Sequence, residues 1–563
     1  MQQLHAISKG PKTNLALNFA LALSILQHIY ALTWNVDPYH EGALFPSAAG
    51  MASGLRVFSE VSQQYGFLTP LLISIPLKLL GNYLLIGRVI GFLTLMLISF
   101  FLYKLLIHLS TKVVAKFITV TWLAVNPIWS WPITDPALSG GAWPNHYGIL
   151  LILIGLNFLI RYQDLKFNSF IAGFVVAASG HARFEFFFVW LFMTLALFFY
   201  FKSKLLIWTI GSFLALSLSI IYLIFFSSLT DWYVQTLRVW TMDPPGVPAI
   251  NLNFFIFNGI HFFGLILLFL VMSFSAQKLY SRISSIPIVV SYLCLSLWLL
   301  MLVGSRIEFV FKVGNYDVSN SFVYLSRYIL FSYVNVALIF FVFTFWNLNV
   351  KPSNLEDRES DSNGNLRLLG FTCLGTLGLF HNFNPDYSHM IIPVYLIFLV
   401  AYFSKYSETL RTFRFKEGLV LTALSSILVA SILFFGHSSK TIYPYQNEML
   451  KGLRGNSYEN VSNLDQSLDV IESYVTKGEM LMNCQVGLLS TNSEGFLGSD
   501  KWTWNQQPYE MLSGRVSKMP IGHSLLACNL DYRDEEIMKQ FLDSNVLTLL
   551  YSNSTFSIYK RVK

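Results

Sequence analysis

The chain has 563 residues, of which 54% are hydrophobic, 16% aromatic and only 12% charged, against the roughly 25% charged residues of an ordinary soluble domain. This composition excludes a soluble globular enzyme and a disordered scaffold. The apolar residues come in runs near the ~20 needed to cross a bilayer, so spans are the unit to count. A net charge of +7 would suit a nucleic-acid binder only if it were clustered for that purpose, and its distribution follows a membrane topology instead.

The first apolar run, residues 15–34, follows a short start holding Lys9 and Lys12 and ends in polar Asn35 to Glu41 with no small-residue cleavage site. It reads as a retained first helix. Further runs cover 84–107, 113–128, 147–160, 167–180, 186–201, 205–226, 254–274, 286–303, 328–345, 368–380, 390–403 and 419–435, which predicts about thirteen transmembrane helices. One more run, 67–80, decides the orientation of everything after it. If it lies in the interface without crossing, the segments on the N-terminal side hold 18 Lys and Arg and the opposite connections hold 8. By the positive-inside rule this places the N-terminus in the cytoplasm and makes 67–80 an outer juxtamembrane helix. The positive excess is then a topology signal, and no nucleic-acid partner is needed to explain it.

The polar connection 347–367 reads as a solvated linker. After thirteen crossings the tail emerges outside, and its composition shifts to Asn, Ser, Glu, Asp and Lys with short apolar clusters. Residues 467–477 and 534–542 read as helices, and 479–489 and 546–559 as strands. The expected organisation is a membrane all-α domain over 1–436, with a first outer loop at 35–83, and a small extracytoplasmic α+β domain over 437–563. Cys484 and Cys528 are the tail's cysteines and could form a disulfide or remain packed thiols.

Ionisable groups at span edges are costly and concentrate at functional sites. The first outer connection carries Asp37-Pro38-Tyr39-His40-Glu41-Gly42 and then Gln64-Tyr65-Gly66-Phe67-Leu68-Thr69-Pro70. Glu41 opens an amphipathic stretch, 43–57, where the positive end of a helix dipole favours its ionised form, and an ionised carboxylate can act as a base. Asp37 before Pro38 can serve as an N-cap. His40 is suited to be a proton-transfer partner, a metal ligand or a phosphate contact.

A retained first span, an acid pair just after it, interfacial helices and a Tyr-Gly-x-Leu-x-Pro element resemble the GT-C superfamily of polytopic membrane glycosyltransferases. The similarity is strongest to bacterial members with Asp-Pro-x-His-Asp-Gly followed by Gln-Tyr-Gly-Pro-Leu-Thr. Glu41 and Phe67 stand here where Asp and Pro are usual in that pattern. The resemblance implies a GT-C fold and inverting transfer of a sugar from a polyprenyl-phosphate donor to a glycan, lipid or protein acceptor on the outer face of the plasma (inner) membrane. An acceptor hydroxyl that attacks the anomeric carbon must lose a proton. Glu41 is the expected base, with Asp37 its rival and His40 an orienting partner.

The leaving phosphate needs cations or N–H donors. Arg183, in Gly180-His181-Ala182-Arg183-Phe184-Glu185, sits between apolar runs and is expected to meet phosphate or Glu185. Arg306 and Arg327 occupy similar span edges, where they contact phosphate or anchor their helices. Asp386-Tyr387-Ser388-His389 matches an Asp-x-x-His element found before late spans in the superfamily, with His389 facing phosphate and Asp386 orienting it. Asp135 is the expected second-loop acid. Trp143 and Tyr65 are candidate sugar- or substrate-binding aromatics. A divalent cation is compatible with His40, Glu41, Asp135 and Asp386, although no spacing specifies a metal. Two other readings share these features: a transporter or flippase of lipid-linked saccharides, which would place charges in mid-span, and a polysaccharide polymerase or ligase, which would need a large late outer loop.

Overall fold

A computed structural model describes residues 11–34, 36, 41–61, 63, 65–129, 144–161, 166–238, 361–376, 393–394, 396–398, 400–401, 442–455, 457–475, 480–484, 491–492, 495–496, 523–529, 542–543 and 545–562. Among the described residues the membrane part has α1 (Pro11–Leu32), α2 (Phe45–Ala52), α3 (Leu68–Leu80), α4 (Leu84–Leu109), α5 (Lys112–Trp129), α6 (Pro144–Arg161), α7 (Lys166–Ser179), α8 (Phe186–Tyr200), α9 (Lys202–Phe226), α10 (Leu229–Trp232) and α11 (Asp361–Gly375). Three stretches, Leu15–Leu32, Leu84–Leu109 and Lys202–Phe226, are long and apolar enough to cross a membrane, and α3, α7 and α8 are shorter apolar helices. The expected spans over 254–345 and 419–435 lie outside the described residues.

Helices α7 and α9 cross closely because both present small residues. A Cβ on Gly173 would lie 2.2 Å from the Trp208 carbonyl oxygen, and one on Gly211 would lie 2.1 Å from that of Phe170. Such contacts let backbones approach where lipid offers no hydrophobic drive to associate. Outward-facing Ile210, Phe213, Ile224 and Phe225 on α9 are exposed, as a lipid-facing surface requires. Helix α3 spans only 13 residues, about 20 Å at 1.5 Å per residue, which is too short for a ~30 Å hydrocarbon core. The end of α1 and the first turns of α4 share one side chain, Arg88, so the connection between them leaves and returns at the same end of the bundle.

In the tail, α12 (Tyr458–Val475) packs against a four-stranded sheet ordered β3 (Met480–Cys484), β6 (His523–Asn529), β8 (Phe556–Arg561), β7 (Leu547–Ser552). The pair β3/β6 is parallel and the other two pairs are antiparallel. Short pairs β1 (Tyr443–Pro444) with β2 (Arg454–Gly455), and β4 (Thr491–Asn492) with β5 (Gly495–Phe496), complete the described strands. The β3/β6 register sets positions 484 and 528 opposite each other.

Four sequence expectations change. The strand expected over 546–559 is a hairpin: Asn553 accepts hydrogen bonds at its side-chain oxygen from the Thr555 and Phe556 backbone N–H groups, at 2.9 and 2.7 Å, and so turns the chain. The helix expected at 467–477 begins at Tyr458 and ends at Val475. The amphipathic stretch 43–57 is helical only over Phe45–Ala52, after a 3-10 turn at Glu41–Ala43. The linker expected to 367 gives way to helix at Asp361, and Leu366 is buried there. The helix expected at 534–542 falls largely outside the described residues.

Bundle and tail share one apolar core at the site end. Val36, Phe45, Ala48, Ala49, Ile73 and Leu84 pack in the same cluster as Met449, Leu450, Leu453, Leu464, Phe556 and Ile558.

Candidate active site

Glu41 opens the 3-10 turn and is almost fully buried. Its carboxylate accepts two hydrogen bonds from Arg88, one from Nε to Oε1 at 2.6 Å and one from Nη2 to Oε2 at 2.8 Å. The Arg88 Nη1 donates to the carbonyls of Leu32 and Trp34, both at 2.9 Å. Arg88 is 1% exposed, and a fixed guanidinium fork matches a carboxylate bidentately while its remaining hydrogens reach carbonyls. This one side chain therefore fastens both ends of the 35–40 segment, which contains Asp37 and His40. Both oxygens of the Glu41 carboxylate are thus engaged by one buried guanidinium. Through Arg88, Glu41 is joined to the carbonyls of Leu32 and Trp34 at the end of α1. Asp37 and His40 lie outside the described residues.

The Tyr65-Gly66-Phe67-Leu68 element runs against the α7–α8 turn. The Gly66 N–H donates to the Ala182 carbonyl at 3.1 Å, and the Leu68 N–H donates to the His181 carbonyl at 3.0 Å. A Cβ at position 66 would fall 1.7 Å from the His181 oxygen, so glycine is required for this approach. Phe67 stacks on Tyr222 with centroids 4.6 Å apart and lies 5.1 Å from the His181 ring. Both His181 ring nitrogens are buried without a hydrogen-bond partner among the described residues, and burial lowers its pKa to about 4, so the ring is neutral at pH 7.

Arg183 is buried and donates from Nε to Glu185 Oε1 at 2.5 Å and from Nη1 to Asn145 Oδ1 at 3.0 Å. Its guanidinium lies 5.3 Å from the Tyr65 ring centroid. The structure thus gives Arg183 the Glu185 partner that the sequence offered beside phosphate, and Asn145 brings in the start of α6. Tyr65 is held in turn by its N–H, which donates to Gln63 Oε1 at 3.2 Å.

Gln63 leads to a network that sequence reasoning missed. Its N–H donates to Gln235 Oε1 at 2.9 Å and its Nε2 to Ser47 Oγ at 2.9 Å, while Gln235 Nε2 donates to the Phe58 carbonyl at 2.7 Å. Phe58 has φ +66°, which is unfavourable for a side chain of its bulk. Gln235 lies in a π-helical turn, Tyr233–Arg238, and π turns frequently mark functional sites. Arg88 was also missed, although one charge in the apolar run Leu84-Leu85-Ile86-Gly87-Arg88-Val89-Ile90 signals a required buried partner.

Asp135, Trp143, Arg306, Arg327, Asp386 and His389 lie outside the described residues. Among the described residues no group of three or more His, Cys, Asp or Glu could hold a metal ion, and the Glu41 oxygens are committed to Arg88.

The sequence matches no protein-family model and no curated protein. The structure is similar to that of the Archaeoglobus fulgidus oligosaccharyltransferase in complex with zinc and sulfate. The TM-score is 0.50 at 11% identity, over 97% of this chain and 73% of that one. The fold is GT-C. A second similar structure is ArnT from Cupriavidus metallidurans bound to undecaprenyl phosphate, with 11% identity, 97% coverage of both chains and a TM-score of 0.39. The Archaeoglobus fulgidus AglB complex with an inhibitory peptide and a dolichol-phosphate has 12% identity, covers 98% of this chain and 74% of that one, and gives a TM-score of 0.48. The Arg88 node, the Tyr65-Gly66 ladder and the tail all gather at one end of the bundle.

Proposed function

We propose that this chain is an inverting glycosyltransferase that moves a sugar from a polyprenyl-phosphate donor to a cell-envelope glycan, lipid or protein on the outer face of the plasma (inner) membrane. In this reading the N-terminus is cytoplasmic, the bundle covers 1–436, and the tail over 437–563 lies outside. The observation that carries it is the Arg88 node, which ties Trp34 and Glu41 together on either side of the short acidic stretch that holds the GT-C first-loop motif. Prepositioning of this kind is what a reaction between two bound substrates requires, because misplacement of the reacting groups by ~1 Å can cost ~100-fold.

Asp37 is the general base, and Glu41 is its support. The acceptor hydroxyl gives its proton to the Asp37 carboxylate as its oxygen bonds to the anomeric carbon from the face opposite the leaving group. The bond from that carbon to the phosphate oxygen breaks, and the phosphate departs with the electron pair. With Arg183 engaged by Glu185 and Asn145, the developing phosphate charge falls to Arg306, Arg327 and His389. Asp386 orients His389, Asp135 supplies the second acid, and Tyr65 and Trp143 face the sugar. A divalent cation, if used, draws on Asp37 and His40 and not on Glu41, and no step above passes through it.

The deciding experiment is a profile of envelope glycans and lipid-linked sugars in a deletion strain complemented with wild type, Asp37→Asn or Glu41→Gln. Wild type restores the profile and empties the accumulated donor pool. Asp37→Asn reaches wild-type membrane levels without restoring it, and Glu41→Gln fails at the level of folded protein. Restoration by Asp37→Asn would remove the base from this loop.

A further inference from the structure

We infer that Arg454, in the C-terminal domain, is a positioning residue for transfer that holds the root of the 35–40 loop together with Arg88. This inference rests on the reading of that loop as the carrier of the base. The Arg454 backbone N–H donates to the Thr33 carbonyl at 2.9 Å, and its Nε donates to Thr33 Oγ1 at 3.2 Å. Its guanidinium lies 5.2 Å from the centroid of the Tyr30 ring, and its backbone bridges to Trp34 in parallel. The ring of Trp34 stacks on Tyr30 at 5.7 Å, and Trp34 is 2% exposed.

Three successive residues at the end of α1 are thus held by two arginines from different parts of the chain. Arg88 takes the carbonyls of Leu32 and Trp34, and Arg454 takes the Thr33 backbone and hydroxyl. The Thr33 and Trp34 N–H groups still bond back to Tyr30 and Ala31, and the two arginines add contacts to alternate residues beyond the end of the helix, which fix where the chain heads as it leaves α1. The shared core beneath, where Val36 and Phe45 meet Leu450, Leu453 and Phe556, keeps the domain docked independently of the Arg454 side chain. Removal of that side chain spares the backbone bond and the core. It deletes the hydroxyl contact and the cation over Tyr30, and the effect is therefore local to the loop.

The test uses the full-length protein in detergent and the lipid-linked sugar pool extracted from the deletion strain as donor, with that strain's envelope fraction as acceptor. Arg454→Ala is expected to keep the wild-type melting temperature within a few degrees. It should speed hydrogen exchange in peptides covering 33–41 by tenfold or more, leave tail peptides unchanged, and lower the maximal rate by ~10- to 100-fold with donor and acceptor KM unchanged within twofold. Arg454→Lys, which retains a cation for Tyr30, should recover part of the rate. Wild-type exchange and rate in Arg454→Ala would overturn the inference, and so would a loss confined to KM, which would make Arg454 a binding contact. Asp37→Asn is assayed in parallel: if it turns over normally, the reading of the loop fails, whereas an inactive Asp37→Asn beside a fully active Arg454→Ala sinks only the role of Arg454.

Discussion

Two buried arginine–glutamate pairs stand at the same end of the bundle, and they differ in what they join. Arg183 and Glu185 are two positions apart, so their bond closes within one turn between α7 and α8, and Asn145 and the Tyr65 ring extend it to neighbours. Arg88 and Glu41 are 47 positions apart, and the same guanidinium also takes two carbonyls from the end of α1. The first pair braces helices already adjacent in the chain. The second closes a loop, and its loss would release the only segment with an Asp-Pro-x-His motif. Burial alone does not separate the two, because both arginines are nearly inaccessible; sequence separation does.

The comparison is tested most severely at Arg88. Arg88→Ala strands the Glu41 carboxylate in an apolar site, and the expected loss is about 3–5 kcal/mol, read as a fall in the melting temperature of the detergent-solubilised protein. The double change Arg88→Met with Glu41→Leu should recover most of that stability and none of the transfer activity, which separates the fold from the function of the loop. A double variant that transfers sugar normally would show that the pair is dispensable for positioning.

On the Arg183 side, His181 makes the brace sensitive to acid. Its folded pKa is about 4 because of burial, below the ordinary value near 6.5. The unfolded chain therefore binds a proton between those values that the folded chain refuses, and stability falls as pH drops from 6.5 to 4, by up to about 3 kcal/mol. His181→Phe should flatten this part of the pH–stability curve relative to wild type. An unchanged slope would mean that the ring is hydrated in solution.

Gln235→Ala removes one donor to the Phe58 carbonyl and one acceptor for the Gln63 N–H, with an expected cost of about 1–3 kcal/mol and faster exchange over 57–66. The smallest effect belongs to Arg56→Ala. Its pair with Glu60 spans 3.4 Å, with side chains 57% and 38% exposed, and exposed pairs contribute at most ~1 kcal/mol. A large loss there would mean that this turn is buried by something it meets in the membrane.

Much of this was legible from the sequence, for identifiable reasons. The apolar run at 67–80 was visible in the sequence and is a helix over Leu68–Leu80. Glu41 was expected at a helical start and is found at one. Glu185 was visible as a partner for Arg183 because the two are neighbours in the chain. The partner of Glu41 was hidden because nothing local connects positions 41 and 88, and the Arg454 contact to Thr33 spans 421 positions. The hairpin at 547–561 was missed because its apolar alternation continues across Asn553, whose side chain makes the turn without Gly or Pro. The start of α11 was missed because the polar residues before Leu366 suit a helix end as well as a linker.

The common core of loop and tail also sets an order of assembly. The face formed by Val36, Phe45 and Ala48 is made early in synthesis, whereas Leu453, Phe556 and Ile558, which cover it, come from the last quarter of the chain. During elongation that face waits uncovered until Phe556 and Ile558 have been made. A chain without the 547–561 hairpin therefore leaves this face without the Phe556 and Ile558 side chains that cover it.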